Sequence, residues 1–168
     1  NYVDMLNKSY QYFKHVFEYV KNENTEVWQR GNNEGGFISM NVGIMSIVRI
    51  CDSILNHLIQ NEELEPQLTD AKDLADLTIK YLTPVTDLIK TLNNQKIKDF
   101  RNAGTGGVGR ENVVREFQKT IHERFKNFEP KGLLEWVRDN SGRFNNDAKL
   151  IVDKIQLEIR DNLFSELK

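Results

Sequence analysis

The chain has 168 residues, of which 39% are hydrophobic and 29% charged, enough for one well-cored domain and short of what two would need. Its formal net charge of −2 is ordinary for a soluble protein, and a single cysteine, Cys51, excludes an internal disulfide framework. Because Cys51 lies in the most apolar stretch, it is expected to be a reduced packing residue in an intracellular protein.

The N-terminal stretch has no basic region followed by an apolar run and a small-residue cleavage site, so a cytoplasmic location is expected. The sequence starts at Asn1 and enters helical periodicity almost at once. A single helical domain over residues 1–168, cut from a longer protein, is the expectation.

Met5, Leu6, Tyr10, Phe13, Val16, Phe17 and Val20 recur at steps of three and four, which predicts an amphipathic helix over 4–22. Residues 23–36 are polar and rich in Asn and Gly, and read as a loop anchored by Trp28. From 37 to 59 apolar residues occupy nearly every angle of a helical wheel, and such a helix needs partners on several sides. Gly43, Ser46, Arg49, Asp52 and Ser53 interrupt the run, so it is expected to be the central post of a bundle and not a membrane span. Arg49 and Asp52, three apart, read as a partly buried structural ion pair.

An acidic connector holding Pro66 follows, and Thr69 or Asp70 can cap a helix reaching Leu82 with Ala71, Leu74, Ala75, Leu77 and Ile79 inward. Thr83-Pro84 is expected to restart or kink the chain, giving a separate segment over 84–92. Residues 93–110 read as the least regular part. A helix over 111–126 turns Val113, Val114, Phe117, Ile121 and Phe125 inward. Turns at 128–132 and 140–143 flank a short helix over 133–137, with Trp136 as an anchor, and a last helix covers 146–163. No stretch alternates with period two. The expected class is all-α, a helical bundle of about six or seven helices around the 37–59 helix.

The run Gly104-Thr105-Gly106-Gly107-Val108-Gly109-Arg110-Glu111 invites comparison with a phosphate-binding P-loop. Arg110 replaces the lysine, Glu111 stands where the metal-binding hydroxyl belongs, and the preceding residues have no strand character. What remains is a glycine-rich loop entering a helix N-terminus, a favourable place for an anion, set against a plain inter-helix hinge.

Charge is segregated along the chain. Residues 90–131 hold ten cations against five acids, a net +5, and the remainder is −7. Arg115, Lys119, His122 and Lys126 fall at i, i+4, i+7 and i+11, away from the apolar stripe. A basic ridge beside a glycine loop can bind a phosphate backbone, and its plain alternative is a solvated face interleaved with Glu116 and Glu123. The expected anion-binding residues are Arg101, Gly104, Gly106, Gly107, Gly109, Arg110, Arg115, Lys119 and Lys126.

His15, His57 and His122 lie far apart with no paired cysteines, so no metal site is legible and no cofactor is expected. Arg115-x₆-His122 resembles the Arg/His pair of HEPN-type ribonucleases, helical bundles of about this size. That resemblance implies proton transfer by His122 and phosphate stabilisation by Arg115. Glu116 departs from it, standing where that family has a neutral polar residue.

Several stretches together resemble the C-terminal helical part of DGQHR-motif proteins, a prokaryotic group associated with DNA phosphorothioate modification and phage defence. They are the Trp28 loop, Gly36-Phe37, Asn41-Val42-Gly43-Ile44, Arg49-x-x-Asp52, Gly104-Thr105-Gly106-Gly107 and Phe128-x-Pro130-x-Gly132-Leu133. The Asp-Gly-Gln-His-Arg box that names the group is absent, so its role cannot be carried over. The resemblance implies a DNA-modification setting and an upstream domain as partner. It supplies no catalytic residue here.

The reading is therefore a non-catalytic helical domain touching DNA or RNA phosphates, with no membrane contact. The alternatives are an interaction or homodimerisation domain without a ligand site, and a HEPN-like ribonuclease using Arg115 and His122.

Overall fold

The computed structural model describes residues 1–103 and 107–130, and among them the regular structure is entirely helical. In chain order the helices are α1 (Tyr2–Glu23), α2 (Thr25–Arg30), α3 (Asn41–Gln60), α4 (Ala71–Thr91), α5 (Asn94–Ala103) and α6 (Gly107–Arg124). The chain adopts the all-α bundle that its 3.6-residue spacing dictates. The elements expected beyond residue 130, Trp136 included, lie outside the described residues.

The longest interface joins α1 to α4, and the two helices run parallel. Tyr12 meets Thr78 hydroxyl to hydroxyl at 2.8 Å, Tyr19 meets Thr86 at 3.1 Å, and Lys90 reaches Glu23 at 2.5 Å. Each pair is separated by 66 or 67 residues, and that constant offset defines a parallel register. The chain must therefore return between them, and α3 lies on that return path: Phe37, just before it, meets Phe100 beyond the end of α4, and His57, near its own end, meets Tyr81 of α4. At 1.5 Å per residue its 20 residues span about 30 Å, close to the roughly 33 Å of the 22-residue α1.

Burial on several sides follows for α3. Ile47, Ile50, Cys51, Ile54 and Leu58 are all 0–1% exposed. By length and composition alone α3 could cross a membrane, since the interrupting polar residues do not lower its hydropathy enough. Most of its surface is instead covered by the other helices. Burial pushes the Cys51 thiol up to about 12, which keeps it protonated and unreactive.

Several expected boundaries moved. Asp70 caps α4 through the Asp73 N–H at 2.8 Å, but α4 does not restart at Pro84 and runs unbroken to Thr91. Proline removes one backbone bond and costs about 3 kcal/mol in a helix interior. Here Pro84 is buried in the core, and the Thr83 and Thr86 hydroxyls that flank it meet Tyr19 of α1, so packing outweighs the local penalty. Residues 94–103 form α5 where irregular chain was expected, with Asn93 accepting the Lys96 N–H at 2.8 Å as a cap. The expected loop over 23–36 contains α2, held by Trp28 against Phe17 with ring centroids 6.3 Å apart and ended by Gly31 at φ +51°.

α3 starts at Asn41 and not at residue 37, because Phe37 and Ile38 fold under its first turn, fully buried. Their backbone passes so close that a Cβ on Gly43 would lie 2.3 Å from the Phe37 carbonyl oxygen and 2.4 Å from Ile38 Cα.

At the other end of α3, His57 is 3% exposed, edge-on to Tyr81 at 5.3 Å and Phe128 at 5.1 Å. The Asn61 amide donates to His57 Nδ1 at 3.0 Å, so Nε2 carries the proton of the neutral ring. Burial holds the His57 pKa below its ordinary value, with Glu63 acting weakly in the opposite sense.

Gly43→Ala is expected to lower stability by more than about 1 kcal/mol in urea denaturation. A site with room would instead gain roughly that amount in helix propensity, so a raised midpoint would contradict the close packing. For His57 the unfolded chain, near its ordinary pKa of about 6.5, takes up the proton before the folded chain does. Stability present above pH 6.5 is thus lost as pH falls below it, and His57→Gln should flatten that slope below about pH 6.5.

Candidate nucleic-acid interface

α5 and α6 form the layer that carries the cations. Ile97 and Phe100 of α5 are buried, with the Phe100 ring 5.5 Å from Phe37 and 6.1 Å from Phe117. Val113, Val114, Phe117 and Ile121 of α6 are buried as expected, and Phe125, half-buried just past the helix end, lies 4.6 Å from Tyr81. Opposite this stripe, Arg115, Lys119 and His122 are exposed on one face. They span two turns, about 10 Å along the axis.

The cations differ in what they already hold. Arg115 pairs with Glu111 at 2.9 Å, Lys96 with Glu116 at 3.0 Å, and Arg124 with Asp87 at 3.0 Å. Among the described residues neither Lys119 nor Lys126 has an ion-pair partner within 4.0 Å. Arg115 is the exposed partner of its pair and Glu111 is only 16% exposed, so the guanidinium keeps donors facing solvent while it holds Glu111.

Four expected members change place or role. Arg101 donates to the Asn33 carbonyl at 2.5 Å and the Asn32 carbonyl at 2.6 Å, which makes it a clamp on the loop after α2. Lys126 lies beyond the end of α6, so helical spacing does not place it in the Arg115–Lys119–His122 row. Gly107 and Gly109 belong to the first turn of α6 and not to a loop. Gly104, Gly106 and the side chain of Arg110 lie outside the described residues.

His122 Nδ1 lies 2.9 Å from the Phe128 carbonyl oxygen. A carbonyl only accepts, so Nδ1 carries the proton and, in the neutral ring, Nε2 is left with a free lone pair. Spacing could not reveal this contact, because residues 125–128 must first fold back over the end of α6. Phe128 is fully buried, against His57 and Tyr81. The His122 partner is thus fixed by core packing.

Among the described residues, no group of three His, Cys, Asp or Glu side chains could hold a metal ion. Arg49 and Asp52 are half-buried on α3. Comparison with protein-family models, curated proteins and solved structures finds no match for this chain.

Proposed function

We propose that this domain contacts nucleic-acid phosphates through the outward face of α6, as a non-catalytic part of a DNA-modification or phage-defence protein. The observation that carries the reading is the exposed row Arg115, Lys119 and His122, mounted on a helix whose opposite face is locked into the core. The N-terminus of this 18-residue helix adds a positive dipole end. Phosphate contact of this kind is electrostatic and carries no base readout. The defence setting rests on the resemblance to DGQHR-motif proteins alone.

Fluorescence anisotropy with short duplex DNA and single-stranded RNA, repeated from about 50 to 200 mM salt, tests the reading. Two cationic contacts, from Arg115 and Lys119, predict a roughly twelve-fold loss of duplex affinity across that range. Arg115→Ala with Lys119→Ala should reduce the salt slope by about two, whereas Arg101→Ala should leave it unchanged. Absence of binding at the lowest salt would overturn the proposal.

The fixed tautomer of His122 favours a second reading, in which the free Nε2 serves as a proton acceptor in HEPN-like RNA cleavage with Arg115 steadying the phosphate. A cleavage assay on single-stranded RNA decides this: activity that persists in His122→Ala removes His122 from the chemistry. Activity lost in that variant, with binding retained, supports it.

A further inference from the structure

Among the described residues five large apolar side chains are exposed, Tyr2, Val3, Met5, Ile59 and Leu68, and Leu68 is 81% exposed. Scattered exposed apolar residues are ordinary, but Tyr2, Val3, Met5 and Leu68 gather at one end of the bundle. Here α1 and α4 begin. The connector over 61–70 crosses this end, tied down where Lys8 Nζ donates to the Pro66 carbonyl at 2.6 Å and where the Glu63 N–H meets the Leu58 carbonyl at 2.9 Å. The 66-residue register sets Tyr2, Val3 and Met5 level with Leu68 and the start of α4. Between α1 and the connector lies an open cleft of about 470 Å³, reaching from Asn7 and Gln11 to Gln67 and Leu68.

Acids surround this surface. Asp4, Glu62, Glu65, Asp70 and Asp73 are all exposed. The cations beside them are fewer: Lys8, donating to the Pro66 carbonyl, Lys72, paired with Asp76 at 2.9 Å, and the Asn1 ammonium, 3.4 Å from Asp4, so acids stay in excess. An apolar centre with an anionic rim repels nucleic-acid phosphates and anionic lipid headgroups. It equally opposes a symmetric dimer through this end, because each acidic rim would face itself. The chemistry that fits is an apolar stripe flanked by cations.

We propose that this end of the bundle docks a basic amphipathic helix of a partner protein, its apolar stripe on Met5 and Leu68 and its cations against the acidic rim. The proposal is independent of the phosphate-contacting face of α6. Its probe is a labelled Leu/Lys amphipathic peptide of about 18 residues, five helical turns, with a Leu/Glu peptide of the same apolar pattern as control. The Leu/Lys peptide should bind saturably and at least about tenfold more tightly than the control, a gap of roughly 1.4 kcal/mol.

Met5→Ser with Leu68→Ser should weaken binding about tenfold. Glu62→Gln with Glu65→Gln and Asp73→Asn should flatten its salt dependence. Both sets of changes are at exposed positions, and an unchanged urea midpoint confirms that the fold is kept. Equal binding of the two peptides, no saturable binding, or binding intact in the serine variant would overturn the proposal. So would a dimer, seen by sedimentation, that the serine substitutions abolish, because the occupant would then be a second copy of the chain.

Discussion

Two long helices packed parallel impose a demand that an antiparallel pair does not, since the chain must travel the full length of the bundle before the second helix can begin. In this protein α3 makes that journey, and its apolar circumference follows from the route. It runs inside the bundle, with α4, α5 and α6 packed against it. Cys51 touches Tyr12 of α1, and Gln118 of α6 reaches Ser53 at 3.0 Å. The parallel seam between α1 and α4 is thus the constraint from which the rest of the bundle is built.

The seam itself is unusually polar for a core. Thr78 and Thr86 are fully buried, yet each hydroxyl donates within its own helix, Thr78 to the Leu74 carbonyl at 2.9 Å and Thr86 to the Thr83 carbonyl at 3.0 Å. Each oxygen then remains able to accept a bond from a tyrosine of α1. Burial raises the Tyr12 pKa well above its ordinary value, so its hydroxyl stays a donor at neutral pH. Such bonds add modest stability when made and cost more when one partner is left alone. The offset between the helices is therefore specified, because sliding α1 by one residue would strand both threonine–tyrosine pairs.

Much of this bundle was legible in the sequence. The buried Val16, Phe17 and Val20 of α1, Leu74, Ala75 and Leu82 of α4 and the inward stripe of α6 follow from apolar spacing, and the burial of Cys51 follows from its neighbours. Met5 is instead 52% exposed and Ile79 half-buried, because Tyr12, Thr78 and Tyr81 take the inward positions. The continuation of α4 through Pro84 does not, because a local rule about proline is overruled by hydroxyl contacts with a residue 64 or more positions away. α5 was obscured by its charged residues, although Asn93 followed by Ile97 and Phe100 is a cap and two inward positions. In the basic segment, sequence could identify cations but could not separate Arg101, committed to two carbonyls, from Lys119, left in solvent. Only the path of the chain after α2 makes that distinction.

The offset of 66 residues also bears on how the bundle assembles. The entropy lost in closing a loop grows with the logarithm of its length, so the Tyr12–Thr78 contact costs about 1 kcal/mol more to close than the Lys96–Glu116 contact, only 20 residues apart. Chain entropy therefore favours the α5–α6 hairpin early and the α1–α4 seam late. Until α1 docks, the side of α4 bearing Thr78, Leu82, Val85 and Thr86 lacks its cover. The interface that organises the finished fold is the one the folding chain is slowest to reach.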